Sequence, residues 1–315
     1  MEGAAGDVLL TVRCMAYNQG QYIGRCLEGF VTQKTNFRFE VMVHDDASTD
    51  NTQEIIREYA SKYPDLIKPV FETENLYSRR DGSLERKTSA YMHGKYIAMC
   101  EADDYWIDEN KLQRQVDYME QHPECALVCS GAIVVNSKGE RLLRNKSKKL
   151  TDNASQEMVL GRNPVITASS CFRREDFEEF QRVRAGAPFT MRMGDYPLWI
   201  YLSTVGTIKQ FNEPMVAYRE LSESASHSAK VERMRVFRQN SMDIALWMNE
   251  KYGIGVEREA IERSFRRIGL REMSKFDRKV YWAAFKEAFR EDKRIISDAK
   301  ILVITFIRMV LDKRC

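Results

Sequence analysis

The chain has 315 residues and a mass of 36.7 kDa, and its 43% hydrophobic and 30% charged residues are typical of a globular protein with a sizeable core. Its net charge of +3 is too small for a typical nucleic-acid-binding protein, and no apolar run approaches the ~20 residues that span a bilayer. The N-terminus lacks the pattern of a secretory signal, and the seven cysteines lie mostly inside apolar strings. We therefore expect a cytoplasmic protein with reduced, buried thiols.

Short apolar strands alternate with amphipathic helices through the first half of the chain. The predicted strands are 8–12, 39–43, 67–71, 96–100 and 126–135, and the helices between them carry apolar stripes at Ile23, Leu27 and Phe30, at Ile55, Ile56 and Tyr59, and at Leu112, Val116 and Met119. The second of these helices is expected to begin at Asp50, with Gln53 reaching back to it. This alternation predicts an α/β fold with a doubly wound, mainly parallel sheet flanked by helices.

The second half of the chain is less regular. A basic loop is predicted over 141–150, additional strands over 165–171, 208–211 and 215–218, a helix over 196–204, and four C-terminal helices over 234–252, 257–274, 278–288 and 295–311. Residues 228–315 contain 21 basic and 13 acidic residues, a net charge of +8, which leaves −5 for the preceding part. This asymmetry predicts cation or polar-ligand chemistry in the first part and contact with an anionic surface by the second.

Polar clusters follow three of the predicted strands. They are Tyr17-Asn18, Asp45-Asp46 and Glu101-Ala102-Asp103-Asp104. Because ligands bind outside the carboxyl ends of the strands in such sheets, we expect the three clusters to converge on one cleft. Glycine-rich dinucleotide and phosphate loops and the His-Glu-x-x-His zinc motif are absent from the sequence, so a bound nucleotide would be held by side chains and a metal.

Each acidic cluster allows two interpretations. Three carboxylates within Glu101–Asp104 repel one another unless a cation neutralises them, and their hard oxygens suit Mg²⁺ or Mn²⁺ on phosphate oxygens. The alternative is a solvated acidic turn. Asp45 and Asp46 can accept hydrogen bonds from a base ring N–H or a ribose hydroxyl, or can simply form a turn before the helix cap at Asp50.

Three motifs in this order and spacing resemble the bacterial family 2 glycosyltransferases, which have the GT-A fold. The motifs are Met15-Ala16-Tyr17-Asn18, Val43-His44-Asp45-Asp46-Ala47-Ser48-Thr49-Asp50 and Glu101-Ala102-Asp103-Asp104-Tyr105-Trp106. The resemblance is strong over 8–135 and looser to about residue 228. It implies a GT-A domain over 1–228, with a nucleotide-binding half over 8–135 and an acceptor half over 136–228, followed by a helical C-terminal region over 229–315.

The resemblance also assigns roles to individual residues. Nucleotide-sugar contacts fall on Ala16, Tyr17, Asn18, Asp45, Asp46, Asp103 and Arg219, and metal ligation falls on Asp104, Asp103 and His227. Asp195 opens a helix in the acceptor half and corresponds to the catalytic base, which is needed because a sugar hydroxyl is a poor nucleophile near neutral pH. The alternative is that Asp195 only caps that helix.

Other positions stay open. The cation that contacts the diphosphate is to be sought among Arg79, Arg80, Arg86 and Lys87, and the two tryptophans near the acidic sites, Trp106 and Trp199, either stack on sugar rings or belong to the core.

The implied activity is inverting, metal-dependent transfer of a sugar from a UDP-sugar, or another nucleotide-sugar, to a hydroxyl of a saccharide or lipid-linked acceptor, in bacterial surface-polysaccharide or glycan synthesis. Two alternatives are a sugar-phosphate nucleotidyltransferase and a non-catalytic sugar-nucleotide-binding protein. The segment 295–311 is too short and too interrupted to span a bilayer. Together with its flanking cations it is expected either to contact the inner face of the cell membrane peripherally, or to pack on the core or on a second subunit in a homodimer.

Overall fold

The computed structural model describes residues 7–145, 149–221, 231–274, 278–294, 301, 303–305 and 307. The chain divides into two compact units, one made of the residues up to Asp152 together with Pro164–Glu220, and the other of Asn153–Asn163 together with the residues from Leu221 onward. The division at residue 228 expected from the sequence stays a prediction.

The first unit contains one sheet of nine strands. The strands are β1 Leu10–Ala16, β2 Phe39–Asp45, β3 Ile67–Phe71, β4 Tyr96–Glu101, β5 Tyr105–Trp106, β6 Cys125–Val135, β7 Arg141–Asn145, β8 Cys171–Arg173 and β9 Thr207–Arg219. Their order is β3-β2-β1-β4-β8-β6-β9-β5, with β7 beside β6.

The sheet is mixed but mainly parallel. β1 pairs in parallel with both β2 and β4, β2 with β3, and β6 with β9. β8 runs antiparallel between β4 and β6, and β5 and β7 are antiparallel to β9 and β6. This arrangement confirms the predicted α/β fold with a mixed, mainly parallel sheet flanked by helices.

Helices cover the sheet of the first unit and bury their apolar stripes. They are α1 Ile23–Val31, α2 Thr52–Lys62, α3 Leu76–Arg79, α4 Ser83–Ser89, α5 Lys111–Gln121, α7 Arg174–Ala185 and α8 Asp195–Val205. Ile23, Leu27 and Phe30 of α1 are fully buried against Val12 and Cys14 of β1 in the main core cluster. The six described cysteines are buried free thiols.

The second unit is helical. It contains α6 Ala154–Val159, α9 Val231–Lys251, α10 Arg258–Met273 and α11 Arg278–Glu291. Arg238 pairs with Glu272 between α9 and α10, and Arg263 Nε donates to Asp292 Oδ2 over 2.6 Å. Most of the predicted last helix, 295–311, lies outside the described residues. Among the residues that are described, no helix is long and apolar enough to cross a membrane.

The predictions for residues 141–150 and 165–171 were wrong. Residues 141–145 of the predicted basic loop form β7, because a turn at Gly139 returns the chain to pair with β6. The predicted strand over 165–171 is a 3₁₀ turn, Thr167–Ser169, followed by β8. The turn forms because the backbone N–H and the hydroxyl of Ser169 both donate to the carbonyl of Ile166, over 2.8 and 2.7 Å, in place of sheet bonds.

Candidate active site

The loops after β1 and β2 are joined by hydrogen bonds. The backbone N–H of Asn18 donates to Ser48 Oγ over 2.8 Å, and its side-chain Oδ1 accepts from the N–H of Thr49, also over 2.8 Å. Asn18 adopts the left-handed conformation with φ 52°, which asparagine tolerates better than most residues. Between Ala16 and Asp46 the strand ladder continues with an N–H to carbonyl bond of 2.9 Å. Two of the predicted polar clusters are therefore parts of one connected surface.

The start of α2 differs from the prediction. The helix begins at Thr52, and Asp50 Oδ1 accepts from the N–H of Thr52 over 3.0 Å while its Oδ2 accepts from the N–H of Gly20 over 3.0 Å. Gln53 does not reach back to Asp50. Its amide donates to Asp45 Oδ1 over 2.6 Å, because the chain turns at residues 46–51 and brings the first helical turn beneath the end of β2.

Asp45 and Asp46 have different environments. Asp45 is fully buried, and its Oδ1 also accepts from the N–H of Ser48 over 3.0 Å, while its Oδ2 has no hydrogen-bond partner among the described residues. Both oxygens of Asp46 bind the start of α3, with bonds of 2.7 Å from the N–H of Leu76 and 3.0 Å from that of Tyr77. Asp46 thus fixes a neighbouring segment, while Asp45 keeps a buried acceptor atom of the kind that a base N–H or ribose hydroxyl would satisfy.

The turn after β4 is held in place by Arg219 at the end of β9. The backbone N–H of Arg219 donates to Asp104 Oδ1 over 2.7 Å, and its guanidinium Nε donates to the carbonyl of Asp103 over 2.8 Å. The same guanidinium donates to the carbonyls of Asn136 and Ser137, over 3.0 and 3.1 Å, and lies 4.5 Å from the centre of the Tyr22 ring. Arg219 is only 5% exposed, so in this structure it shapes the acidic turn from within.

The pKa of the Glu101 carboxyl is raised above its ordinary value. Burial raises its pKa to about 7, with the negative charges of Asp103 and Asp195 adding to the shift and the Arg13 guanidinium opposing it. The pKa of Tyr218 is likewise raised to about 12, by burial first and then by nearby carboxylates that include Asp104 and Asp195. The charge of Asp195, at the start of α8, therefore acts on groups at the ends of β4 and β9.

Asp195 is the first residue of α8, and its carboxylate is oriented by two donors. Oδ1 accepts from the N–H of Tyr196 over 2.7 Å, and the hydroxyl of Thr167 donates to Oδ2 over 3.2 Å. The position preceding the helix is occupied by Gly194, so Asp195 lies inside the first turn. A helix N-terminus favours a negative charge there, and a partly buried carboxylate held in one orientation is suited to accept a proton from a bound hydroxyl.

Two neighbours of the site did not emerge from the sequence motifs. Arg13 lies on β1 beside Glu101, and burial lowers the pKa of its guanidinium while the Glu101 charge opposes that shift. A lone cation inside the apolar strand Leu10–Ala16 is the signal that could have identified it. Thr167 belongs to the 3₁₀ turn before β8, and no sequence pattern distinguishes it from the surrounding serines and threonines.

Three of the four cations predicted near the diphosphate have partners of their own, and the guanidinium of the fourth, Arg80, lies 5.9 Å from the centre of the Tyr77 ring. Arg79 pairs with Glu74 at 2.8 Å, Lys87 pairs with Glu72 at 2.5 Å, and Arg86 donates to the Asp81 carbonyl over 3.1 Å. Both tryptophans belong to the core: Trp199 is fully buried, and Trp106 Nε1 donates to the Ala168 carbonyl over 2.8 Å. By contrast, Tyr17, in the loop after β1, is 47% exposed.

The predicted metal ligands are only partly described. His227 lies outside the described residues, and within the described part of the chain no group of three His, Cys, Asp or Glu side chains is placed to hold a metal ion. Asp103 and Asp104 supply carboxylate oxygens, the hard donors that Mg²⁺ and Mn²⁺ prefer. Their chemistry fits a cation that takes one or two protein ligands and completes its shell with phosphate oxygens and water.

Known proteins resemble the chain in sequence and in fold. Residues 12–181 match the profile of the family described as "Glycosyl transferase family 2". The uncharacterized protein Rv1520 of Mycobacterium tuberculosis is 30% identical over 269 residues, covering 84% of this chain and 75% of that protein. The amylovoran biosynthesis glycosyltransferase AmsE of Erwinia amylovora is 26% identical over 201 residues, covering 63% of this chain and 71% of that protein.

Solved structures show the same fold at low sequence identity. The S. aureus TarS fragment 1–349 in complex with UDP-GlcNAc aligns with a TM-score of 0.60 at 15% identity, covering 90% of this chain and 81% of that one. The mannosyltransferase PcManGT of Pyrobaculum calidifontis, in complex with GDP-Man and Mn²⁺, aligns with a TM-score of 0.52 at 16% identity, covering 97% and 87%. Because the family profile spans more than half of the chain and its motif residues lie at the ends of β1, β2 and β4, this protein belongs to the family 2 glycosyltransferases.

Proposed function

We propose that the chain is an inverting, metal-dependent glycosyltransferase. It would transfer a sugar from a UDP-sugar, or from another nucleotide-sugar, to a hydroxyl of a saccharide or lipid-linked acceptor, in bacterial surface-polysaccharide or glycan synthesis. The observation that carries the proposal is the position of the family motifs at the ends of β1, β2 and β4, with the charge of Asp195, at the start of α8, acting on Glu101 beside them. The UDP-GlcNAc complex of TarS supports a UDP-sugar donor.

The nucleotide would be held by the connected loops after β1 and β2. Tyr17 offers an exposed aromatic face for stacking, and Asp45 Oδ2 offers the buried acceptor described above. Asn18 and Asp46 would act through the backbone that they hold in place. Because these loops are already joined by hydrogen bonds, little ordering should be required when the donor binds.

Asp195 would be the general base. Its carboxylate would accept the proton of the acceptor hydroxyl as that oxygen attacks the anomeric carbon from the face opposite the diphosphate, so one displacement inverts the configuration. The bonds from Thr167 and from the N–H of Tyr196 keep the carboxylate in one orientation during the attack.

Asp104 and Asp103 would hold the divalent cation, and Mn²⁺ or Mg²⁺ are the candidates. When bound, such a cation neutralises charge on the departing diphosphate. PcManGT, which was solved with GDP-Man and Mn²⁺, supports a divalent cation in this fold. The chain's own part would be to hold the acidic turn in place, and the hydrogen bonds of Arg219 with Asp103 and Asp104 support this role.

The C-terminal region would make a second contact, with an anionic membrane surface or with a second copy of the chain. Its basic excess supports the first, and the exposed side chains of Val303 and Ile307, at 56% and 49%, are available to either partner. AmsE and the putative teichuronic acid biosynthesis glycosyltransferase TuaG support a role in polysaccharide synthesis by their names.

The test uses the full chain, Mn²⁺ and a panel of UDP-sugars with saccharide acceptors, and measures UDP release. Asp195→Asn should keep donor affinity and lower kcat by ~10²–10⁴-fold, the usual loss for a general base. Asp104→Asn should instead weaken metal-dependent UDP binding and abolish turnover. Asp117→Asn, on the exposed face of α5, serves as the control that should match the wild type.

The alternatives give different results. Release of pyrophosphate in place of UDP would indicate a nucleotidyltransferase, and tight UDP-sugar binding without turnover would indicate a non-catalytic binding protein. If Asp195→Asn lost UDP affinity and kept kcat, Asp195 would be a binding or structural residue, and the assignment of the base would be wrong.

A further inference from the structure

The first unit contains a cleft whose lining includes none of the residues that the proposed function assigns to the donor, the cation or the base. It is small, with a cavity volume of about 40 Å³, and it opens to solvent. One wall is formed by α3 and α4, and the other by Arg184 at the end of α7 and by residues 190–192 before α8. The side chains of Leu76, Leu84 and Met191 supply its apolar part.

The cleft lies beside the predicted catalytic base. The hydroxyl of Tyr77 donates to the carbonyl of Arg192 over 3.4 Å, which joins the two walls three residues before Asp195. A Cβ built on Gly194 would lie 4.0 Å from Arg184 Nη1, so the guanidinium passes directly beside the residue that precedes Asp195. The cleft therefore lies near the start of α8, and the charge of Asp195 acts on Tyr77 in its lining.

The cleft carries a net positive charge, whereas the part of the sequence before residue 228 carries a net negative charge. Among the described residues that line it, Arg80, Arg184 and Arg192 are basic and only Glu85 is acidic. Glu85 pairs with Arg184, whose Nη2 also donates to the carbonyl of Met191 over 3.3 Å. This leaves a net charge of about +2 in a part of the sequence whose net charge is −5.

Arg80 is held at the cleft by the turn between α3 and α4, which has an unusual backbone conformation. Its backbone adopts the left-handed conformation, with φ 55°, and Gly82 follows with φ 77°. A left-handed arginine is uncommon and costs backbone energy, so the turn persists because its surroundings fix it. The surroundings include Asp46, whose two carboxylate oxygens bind the first N–H groups of α3.

Resting on the transferase function proposed above, we propose that this cleft binds an oxyanion of the acceptor, a carboxylate or phosphate group borne close to the sugar whose hydroxyl faces Asp195. Arginine presents a planar set of donors that matches both groups, and such charge-assisted bonds are about twice as strong as neutral ones. Arg80 and Arg192 are exposed on opposite walls and would contact the anion, while Arg184, fixed by Glu85, would set its position. The acceptor class is then an acidic saccharide or a sugar phosphodiester.

The test measures binding of three probes to the full chain by calorimetry without donor: a neutral glucose disaccharide, the same disaccharide carrying glucuronate, and the same disaccharide carrying a phosphate ester. The charged probes should bind at least ~10-fold more tightly, since one charge-assisted bond is worth about that factor. Arg192→Gln and Arg80→Gln should bring their affinity down to that of the neutral probe. Arg182→Gln, an exposed α7 arginine that pairs with Glu179 at 2.5 Å away from the cleft, should change nothing.

The outcomes separate this inference from the proposed function. Equal affinity for the three probes, or an anion preference that survives both substitutions, would overturn the inference. Loss of UDP affinity in Arg192→Gln would assign the cleft to the donor and overturn it as well. Anion preference without UDP release from any donor would support the site and contradict only the transferase proposal. Preference for one charged probe over the other identifies the carboxylate or the phosphate as the group recognised.

Discussion

Replacing Glu101 by glutamine tests the electrostatics of the site through stability. Glu101 is partly buried at the end of β4, near Asp103, Asp195 and the Arg13 guanidinium. Its pKa of about 7 lies well above the ordinary 4.5, so near neutral pH the folded protein binds a proton that the unfolded chain has released. The binding of this proton makes its whole contribution to the free energy of unfolding below pH 4.5, and this contribution is lost as the pH rises through about 7.

The size of the effect follows from the shift. Each pH unit between the two pKa values changes the unfolding free energy by ~1.4 kcal/mol, so between about pH 5.5 and pH 8.5 the wild type should lose about 2 kcal/mol through Glu101. Glutamine is neutral throughout and keeps nearly the same shape. The stability of Glu101→Gln relative to the wild type should therefore rise by about 2 kcal/mol between these two pH values.

Urea unfolding at the two pH values measures this difference. Glu109→Gln is the control, because Glu109 is exposed and its surface pair with Lys34 should contribute nearly equally at both pH values. A difference between Glu101→Gln and wild type that stays constant with pH, to within ~0.5 kcal/mol, would refute the environment described for the acidic turn.

Three further substitutions test packing and the support of the acidic turn. Gly94→Ala should destabilise the protein by about 1–3 kcal/mol, because the added Cβ would lie 2.5 Å from the backbone of Leu10. Gly269→Ala on α10 is the control: the added Cβ would have no heavy atom within 4 Å, so this substitution should stabilise the protein by ~0.5–1 kcal/mol. Equal midpoints in thermal or urea unfolding for the two glycine variants would contradict the packing described beside β1. Arg219→Lys should lose the guanidinium hydrogen bonds to the carbonyls of Asp103 and Asn136, which should lower the free energy of unfolding by about 1–3 kcal/mol. It should also weaken metal-dependent UDP binding, as measured by calorimetry. Wild-type affinity in Arg219→Lys would show that the turn does not depend on the guanidinium.

The regular elements of the fold could be predicted because their sequence signals are local. The apolar stripes of α1 and α5 and the β-branched run of β1 follow helical and strand periodicity, and the structure has them within a few residues. β7 and β8 could not be found in this way. β8 has three residues and extends between β4 and β6 only because both of those strands are already present, and such tertiary pairing leaves no local pattern.

The candidate site, like the fold, could be predicted from the sequence only in part. The rule that ligands bind at the ends of parallel strands predicted the meeting of the Asn18 and Asp46 loops and the position of the acidic turn. The sequence does not distinguish Asp45 from Asp46, because the amides of Leu76 and Tyr77 that occupy Asp46 come from a segment about thirty residues away. The roles of these residues in binding and catalysis stay predictions.

The short β8 strand also constrains the order in which the chain can fold during synthesis. β1 to β4 can pair once residue 101 has emerged, and β7 can pair with the end of β6, but the rest of β6 finds its neighbours only in β8, at 171–173, and in β9, where Cys125 stands opposite Thr207. Pairings over such sequence separations form slowly. A nascent chain that has not reached Cys171 therefore leaves β4 and most of β6 without the strands that cover them in the folded sheet, and these are the sites where pairing with another unfinished chain would begin.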